Sequence, residues 1–330
     1  MAKVTVLTAV YNAESYLRQC LDSLKGQTLA DCQFICIDDC SDDGSLQILQ
    51  EYARTDARFE VLRTPVNSGQ AVARNLGLQF ARGEYVAMLD ADDWFAPDAL
   101  AQAYHALTSQ HATCAVLQLV QHFEDTGEEV LYPIRSPKAE WGGEEAFRLS
   151  LDWSLHGLYV VETTLHKRFP FDTTCRLYSD DNTTRLHYLH SSRVVLCQGT
   201  YFYRKHAASM TNACSVRRFD YMLANLSMKK QLQQLMVHNR EELLDLYEQH
   251  RWLTVVACYR YYEQHRQAFA APEHEEILAL FARILPTVEP SRLPWKLKLK
   301  PGYCYVGQYR WFSLMQRFYL MAHRVIRLFR

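Results

Sequence analysis

Short apolar runs alternate with amphipathic stretches along the first 120 residues of the chain. The apolar runs have the length and composition of buried strands, and the stretches between them repeat with the period of a helix. The predicted strands cover 4–10, 33–38, 59–63, 85–90 and 114–120, and the predicted helices cover 14–26, 44–55, 70–82 and 97–109. This alternation predicts an α/β fold with a mostly parallel sheet and helices on both of its faces.

The pattern changes beyond residue 120. The mostly polar segment 123–130 separates two strand-like runs and predicts a hairpin turn. Residues 141–213 are mixed, and from about residue 216 the spacing of apolar residues is helical. A proline-rich segment at 285–295 precedes a last amphipathic stretch. The sequence therefore predicts a helical C-terminal region after the α/β part.

The composition is that of a globular protein, with 48% hydrophobic and 22% charged residues in a chain of 330. The ten cysteines are scattered and include no C-x-x-C pair, so we expect free thiols in a reducing compartment. The N-terminal residues lack the apolar run of a signal peptide, and no apolar stretch is long enough to span a bilayer. We therefore expect a cytoplasmic protein.

The charge is unevenly distributed. Residues 291–330 carry nine Lys or Arg and no acidic residue, whereas the other 290 residues have a net charge of −10. Between 309 and 329, Arg310, Arg317 and Arg324 share one helical face and apolar residues fill much of the rest. This pattern predicts a helix at the surface of an anionic membrane, on its inner face. The alternative is a helix that packs on the protein's own helices or forms a homodimer.

Two acidic clusters follow predicted strands. Asp38 and Asp39 come at the end of the second strand, and residues 90–93 (Asp-Ala-Asp-Asp) end the fourth. Since ligands of open α/β sheets bind beyond the carboxyl ends of the strands, both clusters point to a site at that edge. Carboxylates there suit Mg²⁺ or Mn²⁺, whose coordination is completed by phosphate oxygens. The alternative is a solvated acidic turn that caps a helix starting near Pro97.

Short motifs follow one another in the first two thirds of the chain. They are "AVYN" at 9–12, "DDCSDDGS" at 38–45, "NSGQAVARNLG" at 67–77, "DADD" at 90–93, "SDD" at 179–181 within the block 169–189, and "YFYRKHAASMT" at 201–211. Their order and spacing resemble those of glycosyltransferase family 2, over residues 3–213. The resemblance implies the GT-A fold and an inverting, metal-dependent transfer of one sugar from a UDP-sugar to a glycan, including a lipid-linked glycan, in bacterial surface polysaccharide synthesis. It also implies a nucleotide-sugar-binding part at 1–110 and an acceptor-side part at 111–213, and the pattern of apolar residues predicts the helical region at 214–330.

The resemblance assigns roles by position. It implies that Asp39 binds the uracil N–H, that Arg74 approaches the diphosphate, and that Asp181, with Asp180 second, is the general base. It implies a DxD-type metal site for Mn²⁺ or Mg²⁺, with Asp92 as first choice of ligand. The other implied metal ligands are Asp93 and His206, and the remaining residues implied to bind the nucleotide-sugar are Thr8, Ala9, Val10, Tyr11, Asn67, Gly69, Asp90 and Ala91.

Some positions depart from the family's pattern. Ala9 replaces the common Pro, Cys40 the common Gly and Asp180 the common Glu, and 156–165 lacks the basic pair often found on the acceptor side. Two other functions remain as alternatives. A sugar-nucleotide pyrophosphorylase needs a glycine-rich phosphate loop after the first strand, and this sequence has none there. A catalytically silent binding module would be expected to lose acidic residues that this chain retains.

Overall fold

The computed structural model describes residues 2–175, 177–206 and 214–328. The chain divides into two compact units, Met1–Ser209 and Met210–Arg330. The first is built around a sheet and the second is helical. The roles that the sequence assigns to the parts of these units stay predictions.

The first unit contains a ten-stranded mixed sheet with the order β3-β2-β1-β4-β9-β6-β10-β5, to which β7 adds beside β6 and β8 beside β10. The pairings of β1 with β2 and β4, of β2 with β3, and of β6 with β10 are parallel, and the others are antiparallel. The strands are β1 Val4–Val10, β2 Cys32–Asp38, β3 Phe59–Arg63, β4 Tyr85–Met88, β5 Trp94–Phe95, β6 Cys114–Phe123, β7 Glu129–Leu131, β8 Glu140–Trp141, β9 Tyr159–Glu162 and β10 Val194–Lys205.

Helices cover both faces of this sheet, as the alternating pattern predicts. In β2, Phe34 and Cys36 belong to one buried cluster, while Ile35 and Ile37 belong to the other, because successive side chains of a strand point to opposite faces. The helices of this unit are α1 Glu14–Lys25, α2 Ser45–Thr55, α3 Gln70–Gln79, α4 Ala99–Ser109, α5 Gly143–Ser150, α6 Thr163–Arg168 and α7 Ser179–His190. Helices α1, α2 and α4 contribute to the first cluster, and α3, α5 and α7 to the second.

Some element bounds differ from the prediction. Strand β4 ends at Met88, so Asp90 lies beyond the strand, and Trp94–Phe95 forms a short strand against β10 that the sequence did not predict. Helix α4 begins at Ala99, and its N-cap residue is Asp98. The acidic turn at residues 90–93 therefore does not cap this helix, and that part of the alternative interpretation is wrong. The predicted hairpin is confirmed, because β6 pairs with β7 in antiparallel register.

The second unit is formed by α8 Asp220–Gln234, α9 Arg240–Gln264, α10 Ala271–Ile284, α11 Trp295–Leu299 and α12 Tyr309–Leu328. Its core includes the fully buried rings of Trp252, Tyr259 and Phe312. A buried cluster of charges accompanies this core: Glu248 accepts from Lys229 at 3.1 Å and from Arg251 at 2.6 Å. Among the described residues, no helix has both the length and the apolar character needed to cross a membrane.

Candidate active site

The acidic turn follows β4 at the carboxyl edge of the sheet. One carboxylate oxygen from each of Asp90, Asp92 and Asp93 lies within 4.8 Å of the others. The turn is closed by a backbone hydrogen bond of 3.1 Å from Asp93 N to Asp90 O. Three carboxylates at this separation repel one another, so the fold must supply donors or positive charge around them.

Asp90 obtains this compensation from α3. The buried Arg74 guanidinium forms an ion pair with Asp90 Oδ1, and Gln70 Nε2 donates to the same oxygen at 2.9 Å. Burial raises the pKa of Asp90 above its ordinary value, the Arg74 charge opposes that shift, and the charges of Asp92 and Asp180 add to it. The structure therefore places Arg74 against the acidic turn. This contact is compatible with an approach to a diphosphate, because a guanidinium offers five N–H donors.

Asp93 is held by β10. Its carboxylate accepts from the Tyr201 hydroxyl at 2.6 Å and from Arg204 N at 2.8 Å, and the residue is 1% exposed. Burial, followed by the charges of Asp90 and Asp92, raises the pKa of Asp93 well above its ordinary value. Asp93 therefore contributes to the structure of the turn, and this makes it the weaker of the two predicted aspartate ligands.

Asp92 is the most accessible carboxylate of the turn. Its side chain is 39% exposed, and His206 Nε2 lies 3.1 Å from Asp92 Oδ2. The His206 side chain is 8% exposed, and its ring lies 4.9 Å from that of Tyr16. Two predicted metal ligands that are 114 positions apart in the sequence thus meet at the surface of the turn.

Asp39 directly follows β2, and its side chain organises the loop before α3. Its carboxylate accepts from Thr64 Oγ1 at 2.7 Å, from Ser68 N at 3.0 Å and from Gly69 N at 2.7 Å. Its own amide donates to Val10 O at 2.7 Å. The carboxylate therefore fixes the chain that leads to Gly69, whose φ of +90° favours glycine. The neighbouring Asp38 is buried and pairs with Arg63 at 3.0 Å.

The end of β1 contributes the other residues predicted to hold the nucleobase. Tyr11 is 49% exposed just beyond the strand, and Val10 is buried beneath it. The buried Thr8 hydroxyl makes no hydrogen bond with any described residue. Asn67 is half-buried in the loop that Asp39 organises. These positions bring an accessible aromatic ring to the edge of the sheet that carries the acidic turn.

Asp180 and Asp181 lie in the first turn of α7. The preceding Tyr178 has a φ of +63°, which lies in the left-handed region and turns the chain into the helix. Asp181 is 8% exposed and lies 3.7 Å from Arg185. Burial raises the pKa of Asp181 to about 8, although Arg185 opposes the shift and Asp180 adds to it. Asp180 is half-buried, and its charge acts on Asp90. The carboxylate of Asp180 thus interacts electrostatically with the acidic turn.

Sequence reasoning assigned no role to several residues that build this site. Tyr201 and Arg204 belong to the last motif, and Gln70 to the third. The Arg204 guanidinium donates to Asp92 O at 2.8 Å and lies 4.9 Å from the ring of Tyr16. The tyrosines and the arginine of "YFYR" are polar residues within a predicted motif, and this could have indicated a role in the site. Their partners are distant in sequence, so the sequence alone did not identify them. Residues 207–211 of that motif lie outside the described residues.

The sequence matches a model of a known protein family. The family model described as "Glycosyl transferase family 2" matches residues 5–169. The chain belongs to this family. The match includes the acidic turn, Asp39 and Arg74, and it ends before the turn that begins α7.

Curated relatives of this family 2 chain agree with the assignment. EpsH of Bacillus subtilis is 31% identical over 229 residues, which cover 67% of this chain and 66% of EpsH. Glycosyltransferase GlyG of Streptococcus pneumoniae is 26% identical over 63% of this chain and 72% of GlyG. An uncharacterised glycosyltransferase of Haemophilus influenzae is 38% identical over 34% of this chain and 44% of that protein. The chain thus spans less than two thirds of the length of some of these relatives.

Solved structures confirm the GT-A fold with a helical C-terminal region. S. aureus TarS 1–349 in complex with UDP-GlcNAc has a TM-score of 0.77 and 19% identity, over 97% of this chain and 92% of that one. The mannosyltransferase PcManGT of Pyrobaculum calidifontis, in complex with GDP-Man and Mn²⁺, has a TM-score of 0.54 and 18% identity, over 99% and 87% of the two chains.

Proposed function

We propose that this family 2 chain is an inverting, metal-dependent glycosyltransferase that moves one sugar from a UDP-sugar to a glycan during surface polysaccharide synthesis. The observation that carries the proposal is the meeting of Asp92 and His206 at the carboxyl edge of the sheet, with the charge of Asp180 acting on the same acidic turn. Its fold neighbour TarS was solved with UDP-GlcNAc, which supports a UDP-sugar as donor.

The donor is assigned to the carboxyl edge of the sheet, beside the end of β1 and the start of α3. Asp39 and the exposed ring of Tyr11 are proposed to receive the uracil, with Asp90 toward the ribose. Arg74 and the backbone at Gly69 are proposed to face the diphosphate, because guanidinium and helix N-terminal N–H groups both bind phosphate oxygens. Gly69 directly precedes α3, whose first-turn N–H groups are available for this purpose.

The donor set of the turn fits a hard divalent cation, Mn²⁺ or Mg²⁺. Three carboxylates lie within 4.8 Å of one another, and His206 Nε2 is close to the most exposed of them. Asp92 and His206 would hold the ion, since Asp93 is already engaged by Tyr201 and by the Arg204 amide. When bound, a divalent cation neutralises negative charge that develops on the leaving diphosphate.

The carboxylates of α7 supply the general base. The acceptor oxygen attacks the anomeric carbon while the bond from that carbon to the β-phosphate oxygen breaks, and the bonding electron pair leaves with UDP. Asp181, or Asp180 in second place, takes the proton of the acceptor hydroxyl. Asp181 suits this role because its raised pKa makes it a stronger base than an ordinary carboxylate once ionised. In-line attack inverts the configuration at the anomeric carbon.

The acceptor is proposed to be a glycan, with a lipid-linked glycan as one form. The two alternative functions predict different products. A pyrophosphorylase would form UTP and a sugar 1-phosphate from UDP-sugar and pyrophosphate. A silent module would bind UDP-sugar and release nothing. The sequence after β1 has no glycine-rich loop, which a pyrophosphorylase would need, and the acidic residues that a silent module would be expected to lose are present.

Incubation with a panel of UDP-sugars and Mn²⁺, without acceptor, tests the proposal. We expect slow release of UDP and free sugar from one or a few donors, and proton NMR at early times should show the β-anomer released from an α-linked donor. A first-formed α-anomer would contradict inversion. UTP formed only with pyrophosphate, or binding without turnover even when glycan acceptors are added, would contradict the proposed transfer.

A further inference from the structure

In the part of α12 whose side chains the structure describes, the buried residues lie on one face of the helix. Phe312, Ser313 and Gln316 are buried, and Ser313 Oγ lies 2.6 Å from the Tyr259 hydroxyl. The Phe312 ring lies 5.1 Å from that of Tyr259. One of the two alternatives from the sequence was a helix that packs on the protein's own helices. These contacts confirm that α12 does so.

The opposite face of α12 is apolar and exposed. Trp311, Leu314, Phe318 and Met321 are 61%, 60%, 72% and 63% exposed. Their spacing of three, four and three residues places them in one stripe along the helix. Single exposed apolar residues are common on soluble proteins, but a continuous stripe of large ones indicates a binding surface.

Exposed basic residues occur on α12 and on the preceding short helix α11. Arg310 and Arg317 lie on the same exposed side of α12, and Arg317 also pairs with Glu263 at 2.9 Å. The short helix α11 adds exposed Trp295 and Leu299, at 67% and 71%. The lysines beside them, at positions 296, 298 and 300, are exposed, and no carboxylate of the described residues forms an ion pair with them or with Arg310.

We propose that the exposed faces of α11 and α12 bind the surface of an anionic lipid bilayer. Tryptophan is enriched at membrane interfaces, where its ring contacts both acyl chains and head groups. The adjacent Lys and Arg side chains attract anionic lipids, and no acidic residue of 291–330 opposes them. The apolar stripe enters the acyl boundary, while the packed face keeps the helix attached to the protein.

The charge distribution argues against a second copy as the occupant. Two copies that meet through this face would bring two basic segments together, and 291–330 contains no carboxylate to neutralise them. An anionic bilayer offers the complementary charge and an apolar layer in one surface. The proposal is independent of the proposed transfer activity, since it rests on the helical unit alone.

Co-sedimentation with vesicles tests this assignment. The full-length protein is mixed with vesicles of phosphatidylcholine alone or of phosphatidylcholine and phosphatidylglycerol in equal amounts. The first variant combines Leu314→Ser and Phe318→Ser, and the second combines Lys296→Gln, Lys298→Gln and Lys300→Gln. The control is Met236→Ser, which removes an apolar side chain that is 97% exposed elsewhere in the same unit. Circular dichroism verifies that each variant is folded.

We expect binding to the anionic vesicles that weakens at high salt, and little binding to phosphatidylcholine. The apolar variant should bind at least about tenfold more weakly. The lysine variant should lose on the order of a hundredfold, since each lysine near an anionic surface strengthens binding roughly fivefold. Met236→Ser should bind as the wild type does. Folded wild-type protein that ignores anionic vesicles, equal binding by the apolar variant, or a dimer that this variant abolishes would overturn the proposal.

Discussion

The Tyr201 hydroxyl donates a hydrogen bond of 2.6 Å to Asp93 Oδ2, across 108 positions of sequence. The same hydroxyl accepts from Asp90 N at 3.2 Å, so one side chain of β10 holds both ends of the acidic turn. With Asp93 satisfied from beneath, Asp92 is left at the surface beside His206. The geometry of the candidate metal site therefore depends on a tyrosine that does not belong to it.

Tyr201→Phe is expected to lower the free energy of unfolding by about 1.5–3 kcal/mol. The substitution leaves a buried carboxylate without one of its two donors, and hydrogen bonds to charged groups have this value. Urea denaturation measures the loss. It should be accompanied by weaker Mn²⁺-dependent UDP binding, because the turn is no longer held at both ends.

The control for this variant is Tyr104→Phe. Tyr104 is half-buried, and its hydroxyl makes no hydrogen bond with the described residues. Its removal should change the free energy of unfolding by less than about 0.5 kcal/mol. If the two variants are equally stable, the hydrogen bond to Asp93 contributes nothing measurable and the proposed support of the turn is wrong.

Asp92→Asn should weaken Mn²⁺-dependent UDP binding by on the order of 10–100-fold and leave metal-free binding unchanged. The amide removes the negative charge that attracts the cation, while the shape of the side chain is kept. His206→Ala should lower the same affinity by a smaller factor. Isothermal titration with Mn²⁺ and with EDTA measures both. Glu275→Gln, an exposed change in α10, is the control. Equal UDP affinity of the wild type with and without metal would contradict the assignment.

The edge of the sheet that carries the site was predictable from the sequence. The acidic clusters follow β2 and β4, and parallel strands bring their carboxyl ends to one edge. The motif order also supplied Asp92 and His206 as separate ligands. Their contact was not predictable, because no local pattern relates the turn after β4 to the end of β10, which are brought together by tertiary packing.

The sequence also did not predict which carboxylates of the acidic clusters are buried. Asp92 and Asp93 are adjacent and chemically identical, yet one is 39% exposed on its side chain and the other is 1% exposed as a residue. Which of them faces solvent depends on where β4 ends and on the hydroxyl of Tyr201. Burial also differs between Asp180 and Asp181. Which of these two side chains is the more buried depends on the residue at which α7 begins.

Asp181→Asn should lower turnover by ~10²-fold or more while UDP binding stays intact. The amide cannot accept a proton from the acceptor, but it preserves the volume of a residue that is 8% exposed. Asp180→Asn is the matched variant in the same helical turn. Single-turnover rates and UDP titrations separate the two roles. A larger rate loss at Asp180 would exchange the assignments, and lost UDP binding at Asp181 would make that residue structural.

If Asp181 is the base, kcat/KM should rise with pH and level off above about 8. Burial raises the pKa of Asp181 to about 8, so the ionised form that accepts the proton is a minor species at neutral pH. A pH series at saturating metal measures the profile. Residual activity of Asp181→Asn should lack this rise. Such a base titrates between roughly pH 6 and pH 9. If kcat/KM of the wild type is constant over that range, Asp181 is not the general base.

The same shift predicts the pH dependence of stability. The folded pKa of about 8 lies above the ordinary carboxyl value of 3.8, so the folded state prefers the protonated form. The resulting contribution to the free energy of unfolding is fully present below the ordinary value and is lost as pH rises through about 8. Compared with Asp181→Asn, which cannot ionise, the wild type should therefore lose stability over this window. Urea denaturation of both proteins at a series of pH values measures this loss. If the difference between their free energies of unfolding does not change with pH, the pKa of Asp181 is not raised.

Cys40→Gly is expected to stabilise the protein by about 0.5–1 kcal/mol. Cys40 has a φ of +63°, a conformation that costs a residue with a Cβ about 1–2 kcal/mol, and the family commonly has Gly here. Part of the gain is offset because glycine gives the unfolded chain more conformational freedom. The thiol contributes little, since the one hydrogen bond that it makes with the described residues, to Pro65 O, is 3.9 Å long. Cys40→Ala, which removes the thiol but keeps the Cβ, should therefore stay within about 0.5 kcal/mol of the wild type. Urea denaturation of the three proteins compares them, and an alanine variant more stable than the glycine variant would show that the backbone at this position is not strained.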